Sequence, residues 1–201
     1  MNIEGYVLAG GRSSRMGTTK AKIELGGRTY LELAENALRD FGCVTVTVVG
    51  GSVLENFIPW LPDVELDPPV SGSIVGLYTA LSAANTDWIA ILAVDLPLVN
   101  DTFLKRLWDH RDADTDAVVP VQPDGRLQPL CGFYKVGPTL EAVRASIVNG
   151  KFSLHGILDR LTVRQVNYTD YADFPNAEHL LLNVNTPDDH ALALKIAQGQ
   201  L

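Results

Sequence analysis

Three observations predict an α/β fold for this chain. Short, continuously apolar runs such as Tyr6 to Ala9, Val44 to Val49 and Trp88 to Val94 have the length of strands and the two-sided apolarity of a buried parallel sheet. Amphipathic helical stretches alternate with them over roughly the first 120 residues, the pattern that stacks helices on both faces of a sheet. With 201 residues the chain is long enough for one well-packed domain and too short to need two. Together they predict a three-layer α/β/α sandwich around a Rossmann-like, mostly parallel sheet with an antiparallel strand, residues 1–201 forming a single domain.

Taken in order, Tyr6 to Ala9 is the first strand and runs into a glycine-rich loop. Thr29 to Phe41 carries Leu31, Leu33, Ala34, Ala37, Leu38 and Phe41 on one helical stripe, with Thr29 as N-cap and Gly42 as its end. Val44 to Val49 is the second strand, and Gly50-Gly51 at its carboxyl end repeats the strand-then-glycine arrangement of the first. A short helical stretch near Leu54 to Trp60 and a strand of about Val64 to Leu66 come next, and Pro68 and Pro69 exclude helix from the following loop. Ser73 to Ala84 reads as a helix of small and apolar residues with Gly76 inside it. Trp88 to Val94, the most apolar strand, leads directly into Asp95-Leu96-Pro97.

Asp101 is expected to cap a helix over Thr102 to His110, which precedes the strand Ala117 to Val121. Pro123-Asp124-Gly125 has turn chemistry, so the strand Leu130 to Lys135 returns by a short loop and must lie antiparallel to its predecessor. Helices over Pro138 to Val148 and Ser153 to Leu161, a late strand Val163 to Val166 and a final buried strand Leu180 to Leu182 complete the layers. The closing helix starts near Pro187, with Thr186 as N-cap and Asp188 and Asp189 favourably placed in its first turn.

The formal net charge of −8 argues against nucleic acid or an anionic membrane as the main partner, since both demand a basic face. Arg12, Arg15, Lys20 and Lys22 nevertheless crowd one loop with no acid among them, which suits a small anionic ligand better than a large one. Cys43 and Cys131 have no C-x-x-C partner and no nearby histidine, so buried free thiols are expected rather than disulfides or zinc. His110, His155, His179 and His190 show no ligating spacing. No signal-peptide pattern opens the chain and no apolar run reaches the ~18 residues of a bilayer span. A soluble, cytoplasmic protein is the expectation.

The chemistry is expected at the loop after the first strand. Gly10 and Gly11 carry no Cβ, so backbone N–H groups there could approach a phosphate while Arg12, Arg15 and Lys20 neutralise it. The same two glycines also suit an ordinary turn. Neither the dinucleotide fingerprint nor the P-loop spacing is present, so this is a different phosphate cradle or none. Asp95, at the exit of an apolar strand, reads either as a Mg²⁺ ligand or as a cap on the turn before Pro97. Asn183 and Asn185 could bond ribose, phosphate or metal-bound water, or tie down the turn before Thr186-Pro187. Asp67 could accept from a guanine or stand as a solvated loop residue, and Gln128 and Tyr134 could line a substrate cleft.

Placed together, these segments resemble the molybdenum cofactor guanylyltransferases, the MobA-type nucleotidyltransferases. The resemblance spans positions 7 to 189, in family order. Leu8-Ala9-Gly10-Gly11-x-Ser13-x-Arg15-Met16-Gly17-x-x-Lys20-Ala21 is similar to the family's GTP loop, and Gly72-Ser73-Ile74-Val75-Gly76-Leu77 to its Gly-Pro-Leu-Ala-Gly segment. Asp95-Leu96-Pro97 is similar to its magnesium-binding Asp-x-Pro, and Asn183-Val184-Asn185-Thr186-Pro187 to its Asn-x-Asn-Thr-Pro. The chain departs from the family at Thr19, where aspartate is usual, at Lys22, where an apolar residue is usual, and at Ser73, which replaces proline. An asparagine common near the end of the second strand is also missing, with Gly50 and Gly51 there instead.

The resemblance implies that Leu8, Ala9, Gly10 and Gly11 contact GTP, that Lys20 binds phosphate, that Asp67 contacts the nucleotide, and that Asp95 binds both GTP and Mg²⁺. Arg15, Lys20 and Asp95 would be the catalytic residues, and Gln128, Asn183 and Asn185 would meet the second substrate. The reaction implied is transfer of GMP from GTP to the phosphate of molybdopterin, with cofactor-biosynthesis proteins or acceptor apoproteins as further partners. A phosphomonoester is mostly dianionic at neutral pH, its second pKa being about 6, so no general base is required. Cytidylyl transfer to molybdopterin, nucleotidyl transfer to a sugar phosphate, and non-catalytic delivery of a bound cofactor are the alternatives.

Overall fold

The computed structural model describes residues 2–10, 20–50, 59–66 and 69–200. Its frame is a seven-stranded sheet: β1 (Ile3–Leu8), β4 (Thr45–Val49), β5 (Trp60–Leu61), β6 (Trp88–Ala93), β7 (Ala117–Pro120), β8 (Cys131–Lys135) and β9 (Val163–Val166). A separate hairpin pairs β2 (Glu24–Leu25) with β3 (Arg28–Thr29). The helices are α1 (Tyr30–Phe41), α2 (Ser73–Ala83), α3 (Asp101–Asp109), α4 (Val136–Val148), α5 (Leu154–Leu158) and α6 (Pro187–Ala197). Strand order is β5-β4-β1-β6-β8-β7-β9, and β8 alone in that sheet runs against its neighbours.

Alternation of side chains sorts the sheet into two cores. Val7, Val48, Leu92, Val118 and Phe133 face α1 and α3, whereas Tyr6, Leu8, Ile91, Val119 and Tyr134 face α2, α4 and α5. This is the three-layer arrangement expected from the alternating pattern. On the first face Phe41, Phe133, Trp108 and Trp88 pack in succession, their ring centroids 5.0 to 5.4 Å apart. A buried acid sits within β1, where Glu4 accepts from the Tyr6 hydroxyl at 3.1 Å and from the Asn85 N–H at 2.9 Å. Cys131 is buried, Cys43 half-buried, and both are free thiols, burial pushing the Cys43 thiol up to about 12.

Several boundaries differ from expectation for local reasons. Val64 to Leu66 is not a strand. The edge strand comes earlier, at Trp60–Leu61, because the Trp60 indole donates to the Gly50 carbonyl at 2.9 Å and draws that segment onto β4. Most of the expected helix near Leu54 lies outside the described residues. Asn100, not Asp101, caps α3, its side chain accepting the Phe103 N–H at 2.9 Å. Leu180 to Leu182 is no strand either: the segment continues the turn after the 3-10 helix Ala177–His179 and buries Leu180 and Leu181 in the α1 and α3 core. No periodicity announces the β2–β3 hairpin, whose two-residue turn is made by Gly26 and Gly27, both at positive φ. The α1 helix, by contrast, begins where its pattern says, with Thr29 and Glu32 forming a reciprocal capping box.

Two tests follow from this packing. A Cβ on Gly132, in the middle of β8, would stand 2.5 Å from the Val118 carbonyl oxygen of the neighbouring strand. Gly132→Ala should therefore cost about 2–3 kcal/mol and lower Tm by roughly 5–10 °C, read by thermal unfolding. At the start of α6 the Asp189 carboxylate accepts from the Asn185 and Thr186 N–H groups at 3.0 and 2.9 Å, which holds its pKa below the ordinary carboxylate value. A depressed folded-state pKa makes the stabilisation complete at neutral pH and removes it as the medium turns acid. The stability gap between the unmodified protein and Asp189→Asn should thus be constant through neutral pH and close as pH falls below the ordinary carboxylate value, measured by urea unfolding across pH.

Candidate active site

The site is assembled by the sheet. Leu8 pairs with Val49 on one side and Ala93 on the other, all three strands parallel, so their carboxyl ends finish together. The ladder continues past the strand ends through Ala9 N–H to the Val49 carbonyl at 2.9 Å and Val94 N–H to the Leu8 carbonyl at 3.1 Å. Ligands of open α/β sheets bind at such ends. Here Gly10, Gly50 and Asp95 leave the sheet side by side.

Lys20 opens a single 3-10 turn, Lys20–Lys22, whose buried Ala21 fastens the turn to the α1 core. Its Nζ donates to Asp95 Oδ2 at 3.0 Å and to Asn185 Oδ1 at 2.5 Å. Three residues drawn from the beginning, middle and end of the chain therefore meet at one ammonium group. Lys20 and Asp95 retain only 17% and 19% side-chain exposure, so bulk water screens this pair less than a surface ion pair. The other carboxylate oxygen, Asp95 Oδ1, is buried and has no hydrogen-bond partner among the described residues. A buried acceptor of this kind calls for a donor or a cation.

The segment bearing the two asparagines is pinned to the same strand exit. Val184 N–H donates to the Asp95 carbonyl at 2.9 Å, which sends Asn183 and Asn185 to either side of it. Asn185 reaches Lys20, whereas Asn183 Oδ1 accepts from the buried Gln128 Nε2 at 2.5 Å. These residues form one wall of an open cleft of about 820 Å³, whose lining also includes Ser73 at the start of α2, Phe152 and His155. The first turn of α2 lacks a side-chain cap because Gly72 stands at its N-cap. Tyr134 does not join this wall, because its hydroxyl is buried against the Pro129 carbonyl at 2.6 Å.

Of the sequence-predicted site residues, Leu8, Ala9, Gly10, Lys20, Asp95, Gln128, Asn183 and Asn185 are thus gathered at the carboxyl end of the sheet or in the adjoining cleft. Gly11, Arg15 and Asp67 lie outside the described residues. Asp95 Oδ1 is a buried carboxylate oxygen without a donor among the described residues, the chemistry a hard divalent cation takes, and a lone carboxylate completed by substrate phosphate is a common Mg²⁺ arrangement. The arrangement fits the implied ion. No group of three His, Cys, Asp or Glu side chains that could hold a metal ion occurs among the described residues.

One carboxylate at this end of the sheet escaped the sequence reading. Asp63 follows β5 and lies beside Gly10 and Gly50, close enough that a Cβ on Gly50 would stand 2.9 Å from its Oδ2. An acid just past a proline has no motif to announce it, and only the contact with two glycines distant in sequence singles it out.

Comparison with known proteins gives the chain its family. Residues 5–164 match the family model described as the MobA-like NTP transferase domain. A probable molybdenum cofactor guanylyltransferase of Bacillus cereus (strain B4264) is 32% identical over 197 residues, covering 95% of each chain. Its counterpart from Carboxydothermus hydrogenoformans is 30% identical over 195 residues, 97% of this chain and 96% of that one. Among solved structures, molybdopterin-guanine dinucleotide biosynthesis protein A of Archaeoglobus fulgidus superposes with a TM-score of 0.77 at 25% identity, over 98% of this chain and all of that one. The 2-C-methyl-D-erythritol 4-phosphate cytidylyltransferase of Thermus thermophilus, at 18% identity and a TM-score of 0.71, shares the fold over 98% of this chain and all of its own. With a paired lysine and aspartate at the sheet's carboxyl end and a match over most of its length, the chain belongs to the MobA-like NTP transferase family.

Proposed function

We propose that this protein transfers GMP from GTP to the terminal phosphate of molybdopterin, releasing pyrophosphate and forming the guanine dinucleotide cofactor. The observation that carries the reading is the meeting of Lys20, Asp95 and Asn185 at the joint exit of β1 and β6, beside a cleft large enough for a second substrate. Relatives named for this activity match along nearly their full length. The whole chain would act as one transferase unit.

In this reaction an oxygen of the acceptor phosphomonoester bonds to the α-phosphorus of GTP. The bridging bond to the β-phosphate breaks, and its electron pair leaves with pyrophosphate. No proton need be taken from a dianionic nucleophile, so the protein's task is positioning and charge stabilisation. Lys20 would exchange the anionic Asp95 and the neutral Asn185 for phosphate oxygens. Arg15 would add a second cation to the triphosphate. Asp95, through the orphaned Oδ1, would hold Mg²⁺, which when bound supplies charge neutralisation on the phosphates. Gln128 keeps Asn183 turned toward the cleft, where it and Asn185 would meet the acceptor.

Two outcomes are expected. Lys20→Ala and Asp95→Asn should each lower kcat by about 10²–10³-fold without loss of the folding transition, followed by pyrophosphate release with GTP and molybdopterin. Near-normal turnover in either would remove these residues from the chemistry. Mass spectrometry of the unmodified reaction should show the guanine dinucleotide. A cytidine dinucleotide formed when CTP is supplied alongside GTP would favour the cytidylyl alternative, and binding of GTP without any product would mark a delivery protein.

A further inference from the structure

Tyr30 is fully buried at the start of α1, and its hydroxyl meets Nδ1 of His190, on α6, at 2.7 Å. Among the described residues that is the hydroxyl's only hydrogen bond. Burial, with Asp189 beside it, pushes the Tyr30 hydroxyl up to about 12, so the phenol keeps its proton and can donate it to a neutral His190. A phenylalanine would fill the same space without needing an acceptor. What the hydroxyl adds is direction, which a nonpolar contact does not supply.

This bond joins two arms of the chain that meet again at the site. From Tyr30 the backbone leads to Lys20 through two short bonds, Tyr30 N–H to the Ile23 carbonyl at 2.8 Å and Ile23 N–H to the Lys20 carbonyl at 3.0 Å. From His190 it leads to Asn185 through the His190 N–H on the Thr186 carbonyl at 3.1 Å and the Asn185 N–H on Asp189 Oδ2 at 3.0 Å. Lys20 Nζ closes the circuit on Asn185 Oδ1. Two bonds of this circuit cross from one arm to the other, Lys20–Asn185 inside the site and Tyr30–His190 away from it. The first must open when Lys20 turns to a phosphate. The second stays shut, since neither of its residues lines the cleft. With Val184 N–H fixed on the Asp95 carbonyl, the segment is then still held on both sides of Asn185. A lysine on a flexible stem is aimed only as well as the groups around it are held.

We propose that Tyr30 and His190 are positioning residues of the transferase site: their hydrogen bond fixes the segment bearing Asn185 against the turn bearing Lys20, and keeps the two aligned when the ammonium group leaves Asn185 for phosphate. The effect on turnover rests on the proposed nucleotidyl transfer, whereas the mechanical hold does not.

Three substitutions separate the hydroxyl, its acceptor and the space they fill. Tyr30→Phe removes the hydroxyl and keeps the ring, His190→Leu removes the acceptor, and His190→Asn puts an amide oxygen in place of Nδ1. Amide hydrogen exchange of the full chain without substrate, read residue by residue by NMR, tests the hold. Tyr30→Phe and His190→Leu should speed exchange of the Asn185 and Thr186 N–H groups about tenfold or more, while β1 and β6 stay as slow as in the unmodified protein. His190→Asn should restore the slow exchange. Unchanged exchange at these two residues in both deletions, or acceleration spread evenly over the sheet, would overturn the proposal. In pyrophosphate release with GTP and molybdopterin, Tyr30→Phe should lower kcat about tenfold. In an Asn185→Ala background it should lower kcat no further, because its effect runs through Asn185. The same loss in both backgrounds would reduce the pair to a packing contact and overturn the positioning role. If the unmodified protein forms no dinucleotide, the transfer reaction falls, and exchange at Asn185 and Thr186 still decides whether the pair holds the segment.

Discussion

The in-register parallel pairing of β1 with β4 and β6 is the constraint from which the site follows. Because Leu8 stands level with both Val49 and Ala93, the three chains emerge at one height and their loops must share one space. A slip of one residue would turn Leu8 from the α2 side of the sheet to the α1 side and displace every loop beyond it. The apolar alternation on both faces forbids that slip. Hydrogen bonds from Ala9 and Val94 carry the same register beyond the last strand residues, to the point where chemistry begins.

Within that space the lysine–aspartate pair does two kinds of work. It satisfies two partly buried charges in a protein of net negative charge, and in the proposed reaction it would present the lysine to the substrate already partly desolvated. Exchange of one anionic partner for another needs little reorganisation, which suits a reaction whose barrier is lowered chiefly by preset charge. Asn185 steadies the ammonium group without adding negative charge.

Much of the sheet was legible because buried parallel strands leave an unmistakable apolar run, and helices such as α1 and α6 announce their starts through capping residues. What escaped was decided by contacts distant in sequence. Trp60 forms an edge strand where its indole finds the Gly50 carbonyl just beyond β4, and Leu180 to Leu182 is irregular although Leu180 and Leu181 are as buried as a core strand. Gly26-Gly27 was legible in principle as a hairpin turn, but its flanking strands of two residues each carry no periodicity. At the site, Lys20, Asp95 and Asn185 were readable as residues of suitable chemistry near strand ends. Their convergence on one nitrogen depends on strand order, which a linear pattern does not contain. Asp63 was illegible for the same reason, since its meaning lies in the glycines it faces.

The pin between Val184 and Asp95 bears on where this enzyme can be shortened. Although the relatives match along nearly the whole chain, the stretch that matches the family model ends at residue 164, inside β9, and leaves out the last thirty-seven residues. Yet they contribute Asn183 and Asn185, brace the aspartate's main chain, and fasten their own turn through Asp189. A chain cut just after β9 would keep all seven strands and still lose Asn183, Asn185 and the Val184 bond to the Asp95 main chain, so the closing segment belongs to the candidate site as much as the sheet does.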